Sequence, residues 1–287
     1  MKTLSVAIIA KNEEALIRRC LESVRGADQI VVVDTGSTDR TMQIARECGA
    51  EVHEFPWIDD FAAARNEALK HCTSDYVLSI DCDEVLDPRG IARVRQSIET
   101  GLRGYAITMK AEGFPQYHYP VRLFKRDPDI YWVGRGHEAV NVGAEEQTSI
   151  LITYGYSPAH DKDPDRMLRI MQKAHGDERS GRNCYYLARE FYYRKRYDDA
   201  IVQFEECLRV STWMAEKADA QLYIARCYWY TGRGDQARAA AFEAVRLNPM
   251  FKEALLFLSE THYSPHKEAW AILAGAADNT GVLFVRT

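Results

Sequence analysis

The amino-acid sequence predicts an α/β domain with a parallel sheet, followed by an all-α domain of helical repeats. Strand-like apolar runs alternate with amphipathic helices up to about residue 85, an order typical of parallel sheets. Short β-rich segments then fill residues 103–153, and the chain from Asp163 onward has mostly helical periodicity. We therefore predict two domains, residues 1–162 and residues 163–287.

The composition is that of an ordinary globular protein. The chain has 287 residues, of which 46% are hydrophobic and 28% charged, and domains average roughly 150 residues. Its apolar runs have the length of strands, so we expect no transmembrane segment. Because the first residues contain no long apolar stretch and no small-residue cleavage site, we also expect no signal peptide and a cytoplasmic protein.

The distribution of charge and cysteine excludes several classes of protein. The net charge is −5, made up of −6 in residues 1–159 and +1 in the remainder. No general basic footprint for nucleic acid is present. The 7 cysteines are scattered without a CxxC pair, so we expect reduced, mostly buried thiols rather than a disulfide framework or a zinc ribbon.

Four strands are predicted in the first 85 residues because each is a short apolar run bounded by turn residues. They are Val6–Ala10, Ile30–Val33, Glu51–Phe55 and Tyr76–Ile80.

Three helices are predicted between these strands. Asn12 is a candidate N-cap for the first, whose apolar residues from Leu16 to Val24 follow helical spacing. The second runs from about Thr38 to Cys48 and ends at Gly49. The third runs from about Asp60 to His71.

Further β segments are predicted in residues 103–153, where they extend or cap the sheet in mixed orientation. They are YAITM, YPVRLFK, IYWV and SILITYGY, and Pro, Gly and Asp separate them.

The helical region contains a repeat. Ala188 and Ala225 occupy equivalent places in two helix-turn-helix segments and lie 37 positions apart, close to the ~34-residue tetratricopeptide period. Small residues recur where paired helices would cross closely, and a third, shortened repeat is predicted over residues 251–276. An unrelated helical bundle is the alternative. The basic triplet Arg194–Arg196 lies at a repeat turn, where we expect a solvated surface.

The strongest chemical feature is the segment SIDCDEVL. A buried strand ends there in Asp81-Cys82-Asp83, and two nearby carboxylates are suited to a hard divalent cation that bridges a diphosphate. A solvated turn is the simpler alternative. Asp34 also ends a strand, and Arg65 lies in the third helix, so these side chains are predicted to converge at one edge of the sheet.

The ordered set of motifs resembles the inverting family-two glycosyltransferases of the GT-A fold, in a bacterial subgroup with tetratricopeptide repeats. The matching segments are AIIAKNEEALIRRCLES, IVVVDTGSTDRT, FAAARN and DYVLSIDCDE, with weaker matches in VRLFKR, WVGRGHEAV and ITYGY. Each motif alone is degenerate, but their order and spacing are specific. The four main segments cover about the first 90 residues.

This resemblance implies roles for particular residues. Asp34 would read the nucleotide base with Ala10 and Asn12 beside it, and Arg65 would approach the nucleotide and its diphosphate. Asp81, Cys82 and Asp83 would form the DxD motif. Asp83 would be the more direct ligand of Mn²⁺ or Mg²⁺, which neutralises the departing nucleoside diphosphate.

Glu138, in GRGHEAV, is the candidate base that deprotonates the acceptor, and His137 is a candidate third metal ligand. Both are equally consistent with an ordinary surface turn. The aromatic side chains of Tyr131 and Trp132 would line the bottom of the sugar-binding site. Asp127 and Asp161 are alternative bases.

One position departs from the family pattern. Relatives often have His where this chain has Thr153. His137 or His160 would then have to replace that His, or the metal would be held more loosely.

The resulting hypothesis is a metal-dependent inverting glycosyltransferase. It would move a sugar from a nucleotide-diphosphate donor, a UDP-sugar, to an acceptor that the repeats help to select or to a protein partner bound by them. The acceptor is a saccharide, lipid, peptide or modified nucleobase. Two alternatives remain open: a nucleotidyltransferase, and a repeat-based interaction protein with a degenerate transferase domain.

Overall fold

The structure is a computed structural model that describes residues 1–158 and 163–277. The chain divides into two compact units, Met1–Arg166 and Met167–Thr287. No helix among the described residues is long and apolar enough to cross a membrane.

The first unit is an α/β structure, as the sequence predicts. Its strands are β1 (Leu4–Ala10), β2 (Gln29–Asp34), β3 (Glu51–Glu54), β4 (Tyr76–Ser79), β5 (Glu84–Leu86), β6 (Gly104–Ala111), β7 (Tyr117–His118), β8 (Val121–Lys125), β9 (Trp132–Val133), β10 (Ala139–Val140) and β11 (Glu146–Tyr154). Its helices are α1 (Ile17–Ser23), α2 (Thr41–Glu47), α3 (Phe61–His71) and α4 (Gly90–Glu99).

The main sheet is mixed, with strand order β3-β2-β1-β4-β8-β6-β11-β5, and β7 pairs with β6. The first four strands in this order are parallel, whereas β8 is antiparallel to both β4 and β6. Strand β6 therefore points in the direction of β4, and β11 is parallel to β6. The carboxyl ends of β1, β2, β4, β6 and β11 consequently lie at one edge of the sheet.

The sheet core is buried on both faces. Val6 and Ile8 of β1 pack into one apolar cluster, whereas Ala7 between them packs into another on the opposite face. This alternation follows from the two-residue period of a strand. Burial on both faces explains why the parallel strands are nearly continuous apolar runs.

The predicted capping role of Asn12 is wrong. Helix α1 begins at Ile17, and its N-cap residue, Leu16, makes no side-chain capping hydrogen bond. Asn12 instead has a φ of 57°, in the left-handed region that Asn tolerates. Its Oδ1 accepts a hydrogen bond from the backbone N–H of Thr38 at 2.8 Å, so it connects the loops that follow β1 and β2.

The second unit is helical, as the sequence predicts. It contains α5 (Arg166–Asp177) and three helical hairpins, α6 (Gly181–Tyr193) with α7 (Tyr197–Val210), α8 (Met214–Tyr230) with α9 (Gly234–Leu247), and α10 (Lys252–Thr261) with α11 (His266–Ala276). The third hairpin lies where the shortened repeat is predicted. Ala188 and Ala225, the paired small residues of the repeat, are both fully buried.

The basic triplet at the first repeat turn makes local ion pairs. Arg194 pairs with Glu190, and Arg196 pairs with Asp199. Lys195, between them, has a φ of 59°. Lys195 and Arg196 are exposed, which agrees with the predicted solvated surface.

The cysteines are unpaired, and all except Cys48 are buried. Their arrangement agrees with the reduced thiols predicted from the sequence.

Candidate active site at the carboxyl edge of the sheet

The loops after β1, β2 and β4 bring several of the predicted residues to one edge of the sheet. Ala10 and Asp34 are adjacent in the register of β1 and β2. The backbone N–H of Thr35 donates to the Ala10 carbonyl at 2.8 Å. Asp81 follows β4 by two residues, and the backbone N–H of Ile80 donates to the Ala7 carbonyl of β1.

Asp34 is a buried carboxylate, with only 2% of the residue exposed. Its Oδ2 accepts hydrogen bonds from the backbone N–H groups of Gly36 and Ser37, at 3.0 and 2.8 Å. Its Oδ1 is also buried but has no hydrogen-bond partner among the residues that the structure describes. Since buried polar atoms in native proteins are nearly always satisfied, Oδ1 points to an additional donor.

Arg65 is the central cation of this edge and is itself buried, with 6% of the residue exposed. Its Nε donates to Glu138 Oε1 at 2.7 Å, and its Nη1 lies 2.8 Å from Asp81 Oδ1. Its guanidinium also packs 4.9 Å from the centre of the Trp132 ring. Arg65 thus ties α3 to the residue after β4 and to the segment before β10.

Asp81 is held by two arginines. Besides Arg65, Nη2 of Arg122 lies 3.2 Å from Asp81 Oδ2. Burial would raise the pKa of Asp81, but the two guanidinium charges outweigh it and hold the pKa well below its usual range. Asp81 is therefore an ionised anchor of the network, with both oxygens already engaged by cations.

Glu84 is the second carboxylate that Arg122 contacts. Its Oε1 lies 3.2 Å from Arg122 Nη2, and its Oε2 accepts from the Asp81 backbone N–H at 2.8 Å. Burial, reinforced by the charge of Asp81 and opposed by that of Arg122, raises the pKa of Glu84 to about 7.

The other two residues of the predicted DxD motif differ in burial. Cys82 is 5% exposed and belongs to the main core cluster, and its thiol donates to the Ile9 carbonyl at 3.5 Å. Its side chain therefore serves packing. Asp83 is half-buried, and its carbonyl accepts from the Gly155 backbone N–H at 3.3 Å.

Glu138 and His137 lie in the segment between β9 and β10. The Glu138 side chain is 13% exposed and joins the network through Arg65. His137 has a φ of 52°. Among the described residues, the ligand atoms of Asp81, Asp83 and His137 do not form a cluster within 4.8 Å. The predicted three-residue metal site is therefore not preassembled, and its membership stays a prediction.

The predicted aromatic floor is wrong for Trp132. Its side chain packs into the second core cluster, and the residue is 4% exposed. Its ring meets Phe124 edge-on at 6.2 Å. Tyr131 is 48% exposed, as expected for alternate residues of a strand-like segment. Trp132 therefore supports Arg65 from within the core.

The remaining predicted residues are the alternative bases and the positions considered for a metal-binding histidine. Oδ1 of Asp127 accepts a hydrogen bond from the Asp129 backbone N–H at 3.4 Å in its own turn. Thr153 lies in β11, in register with Val85 and Lys110. His160 and Asp161 lie outside the described residues.

Arg122 and Glu84 are site residues that sequence reasoning did not identify individually. Arg122 stands in the apolar strand segment Val121–Phe124, where a charged residue signals a buried partner. Glu84 directly follows the motif and could be read as part of the same solvated turn. Only the fold, which places β8 beside β4, brings Arg122 to these two carboxylates.

Comparison with known proteins gives a family match within the first unit. Residues 5–144 match the family model described as Glycosyl transferase family 2. A TPR repeat-containing protein of Synechococcus elongatus is 38% identical over 146 residues, which are 49% of this chain and 36% of that protein. An uncharacterized glycosyltransferase of Rickettsia typhi is 45% identical over 87 residues, which are 30% of each protein. The matches thus span about a third of these curated relatives.

A solved structure resembles a larger share of the chain at low identity. The structure of S. aureus TarS 1-349 in complex with UDP-GlcNAc is 17% identical, covers 96% of this chain and 91% of that one, and has a TM-score of 0.46.

Proposed function

Since residues 5–144 are a Glycosyl transferase family 2 domain, we propose that the protein transfers a sugar from a nucleotide-diphosphate donor to an acceptor, with inversion and with a divalent cation. The observation that carries this proposal is the buried Asp34 with its unpartnered Oδ1, at the edge where Arg65, Asp81 and Glu138 also lie. In open α/β sheets, ligands bind beyond the carboxyl ends of the strands.

Asp34 is proposed to bind the base of the donor, and the base is proposed to be uracil. Oδ2 is already fixed by two backbone N–H groups, so the carboxylate is held in one orientation. While the carboxylate is ionised, Oδ1 carries no proton and therefore acts only as a hydrogen-bond acceptor. Uracil offers a ring N–H donor for such an acceptor. A UDP-sugar is therefore the donor we propose, and Ala10 and Asn12 flank its base.

Asp83 is proposed to hold the cation, Mn²⁺ or Mg²⁺. A carboxylate oxygen is a suitable ligand for either ion. Asp81 is less suited to the cation because Arg65 and Arg122 already engage both of its oxygens. The bound cation would neutralise negative charge on the departing nucleoside diphosphate. Asp81 then acts as the fixed point that positions the loop carrying Asp83.

Glu138 is proposed to act as the general base. It would remove the acceptor proton as the acceptor oxygen or other nucleophile bonds to the anomeric carbon and the bond from that carbon to the diphosphate breaks. Arg65 Nε holds Oε1 at 2.7 Å, which fixes the orientation of the carboxylate. His137, the neighbouring residue, is proposed as a further ligand of the cation.

The acceptor is proposed to bind at the same edge, where exposed aromatic side chains follow the ends of β6 and β11. Phe114, Tyr117 and Tyr156 are 63, 49 and 62% exposed. Such rings combine a large apolar face with, in tyrosine, a polar tip.

The helical unit is proposed to help select the acceptor. Repeat arrays form extended concave surfaces. Arg226, Trp229, Tyr230 and Leu256 line a pocket of this unit, and Tyr230 is 60% exposed. These residues are suited to an extended acceptor or a protein partner.

Thermal denaturation with a nucleotide panel tests the donor and the cation. At 100 times its dissociation constant, a ligand stabilises the folded protein by about 2.7 kcal/mol. We expect UDP and UDP-sugars to raise Tm in Mn²⁺ but not in excess EDTA. Asp34→Asn and Asp83→Asn should weaken this gain, whereas Asp129→Asn, a change at an exposed carboxylate, should leave it unchanged.

Other outcomes would contradict parts of the proposal. Equal stabilisation in EDTA would exclude the cation role, and stabilisation by GDP alone would exclude uracil as the base. Release of pyrophosphate from a nucleoside triphosphate would favour a nucleotidyltransferase. Binding of no nucleotide at all would favour an interaction protein with a degenerate transferase domain.

A further inference from the structure

Three metal-binding side chains of different chemistry meet in the helical unit. His175 of α5, Cys184 of α6 and Glu206 of α7 each offer one ligand atom, and these atoms all lie within 4.8 Å of one another. Cys184 is fully buried, and the side chains of His175 and Glu206 are only 15 and 16% exposed. The donors therefore converge from three helices in a largely dry environment.

The geometry of this cluster suits a tetrahedral ion. His175 Nε2 lies 3.2 Å from Glu206 Oε2. Two ligands about 2.0 Å from a tetrahedral metal lie roughly 3.3 Å apart, and Zn²⁺ has these bond lengths to His nitrogen and carboxylate oxygen. The thiolate bond of Zn²⁺ is longer, about 2.3 Å, and the Cys184 sulfur lies within 4.8 Å of both other ligand atoms.

We propose that His175, Cys184 and Glu206 bind one zinc ion, with water as its fourth ligand. Mixed nitrogen, sulfur and oxygen donors favour Zn²⁺ over Mg²⁺ or Mn²⁺, which prefer oxygen ligands. This site differs in ligand chemistry from the one proposed at Asp83 and does not depend on the proposed glycosyl transfer.

A bound ion would link α5 to the first helical hairpin, formed by α6 and α7. A metal bound by the folded state alone adds its binding free energy to stability. Arg179 Nη1 lies 3.9 Å from Glu206 Oε1, but its side chain is 74% exposed and can turn into solvent. The thiol of the nearby Cys207 instead donates to Glu216 at 3.8 Å, so it has a separate partner.

Cobalt substitution tests this site in the whole 287-residue chain. Co²⁺ that binds a thiolate gains a charge-transfer absorption in the near ultraviolet, which Co²⁺ bound only by oxygen lacks. We expect one such ion per chain, displaced by one equivalent of Zn²⁺. Cys184→Ser should remove the band, and His175→Gln or Glu206→Gln should weaken Zn²⁺ binding by at least about tenfold.

Two matched controls identify the source of the signal. Cys227→Ala changes another buried thiol of the same unit, and Asp83→Asn removes the other proposed cation ligand. Both variants should retain the band. Zinc should also raise the Tm of the Asp83→Asn protein.

The proposal is overturned if the wild-type chain binds less than stoichiometric zinc at micromolar free metal, which requires no variant to fold. It is also overturned if the cobalt band persists in Cys184→Ser, or if Cys227→Ala abolishes it to the same extent. Loss of the proposed donor activity would leave these readouts unaffected.

Discussion

At the scale of single residues, Glu138 combines a proposed chemical role with a structural contact. In the wild-type chain, Arg65 Nε donates to Glu138 Oε1 at 2.7 Å. Glu138→Gln keeps an amide oxygen that can accept this hydrogen bond, but the amide cannot take up the acceptor proton. We therefore expect turnover to fall by about 10² to 10⁴ while donor binding is retained. Steady-state kinetics and nucleotide titration of the purified variant measure the two quantities.

The matched control for Glu138 is Asp127→Asn, which alters the alternative base. We expect that variant to turn over at nearly the wild-type rate. Near-normal transfer by Glu138→Gln together with loss of transfer in Asp127→Asn would reassign the base.

The raised pKa of Glu84 predicts how the stability of the protein depends on pH. Because burial raises its pKa from the ordinary 4.5 to about 7, the folded protein binds the proton more tightly than the unfolded chain does. The stability that this group contributes is fully present below pH 4.5 and is lost as pH rises to about 7. In wild type, the free energy of unfolding should therefore fall as pH rises from 4.5 to about 7. In Glu84→Gln, this fall should be smaller.

Urea denaturation at several pH values between 4.5 and 7.5 measures that slope. Glu47→Gln is the control, because Glu47 lies in an exposed pair with Arg18. A slope that is the same in wild type and Glu84→Gln would mean that Glu84 is ionised throughout.

Individual site residues could be predicted where they end a strand or stand in a motif of the family that the sequence resembles. Asp34 and Asp81 stand directly after apolar runs, so the period of the sequence marks them. Arg122 lies about 40 residues from its partner Asp81, and no local pattern reports that pairing. The burial of Trp132 depends on which face of β9 meets the core, and a two-residue strand is too short to indicate a face.

At the scale of elements, Arg65 joins three segments of the first unit. It lies in α3 and pairs with Asp81 after β4 and with Glu138 before β10. Arg65→Ala would leave these two carboxylates without their shared cation. Since removing one partner of a buried ion pair costs about 3–5 kcal/mol, we expect a large loss of stability in addition to weaker nucleotide binding.

Chemical denaturation followed by a probe of the first unit measures this loss. Arg65→Lys keeps the charge but lacks the fork that reaches both carboxylates, so its stability should be intermediate. Arg103→Ala removes an exposed pair with Asp129 and should change stability little. Equal effects of Arg65→Ala and Arg103→Ala would contradict the joining role.

Most elements with a strong period could be predicted, whereas short strands defined by distant pairing could not. Strands β1 to β4 lie where apolar runs predict them, and α3 begins after Asp60, whose side chain accepts from the Ala63 N–H. Strand β5 and helix α4 are absent from the predicted elements, although the buried residues Gly90, Val94 and Ile98 of α4 recur every four positions. Strand β5 has three residues and is defined by its pairing with β11, which the local sequence cannot report.

At the scale of the whole molecule, each unit has its own apolar core. The clusters around Val6 and Ala7 consist entirely of residues up to Tyr154, and those around Phe204 and Phe251 consist of residues from Met167 onward. The change from α/β to all-α structure could be predicted because the period of the sequence changes from alternating strands and helices to helices alone. A separate core for each unit implies that the first can fold without the second.

This separation predicts the behaviour of a truncated protein that ends at Arg166, the last residue of the first unit. The truncation retains Asp34, Asp83, Arg65 and Glu138, so we expect its affinity for a UDP-sugar and its slow hydrolysis of that donor to match those of the full chain. We expect transfer to the acceptor to fall strongly because the helical unit, which we propose helps to select the acceptor, is absent. Circular dichroism and cooperative thermal unfolding first establish that the truncation is folded. The matched control is the full chain carrying Tyr230→Ala and Trp229→Ala, two changes in the pocket of the helical unit. This variant should lose transfer without losing donor binding. A folded truncation that fails to bind UDP, or that transfers to the acceptor at the full rate, would contradict this division of roles.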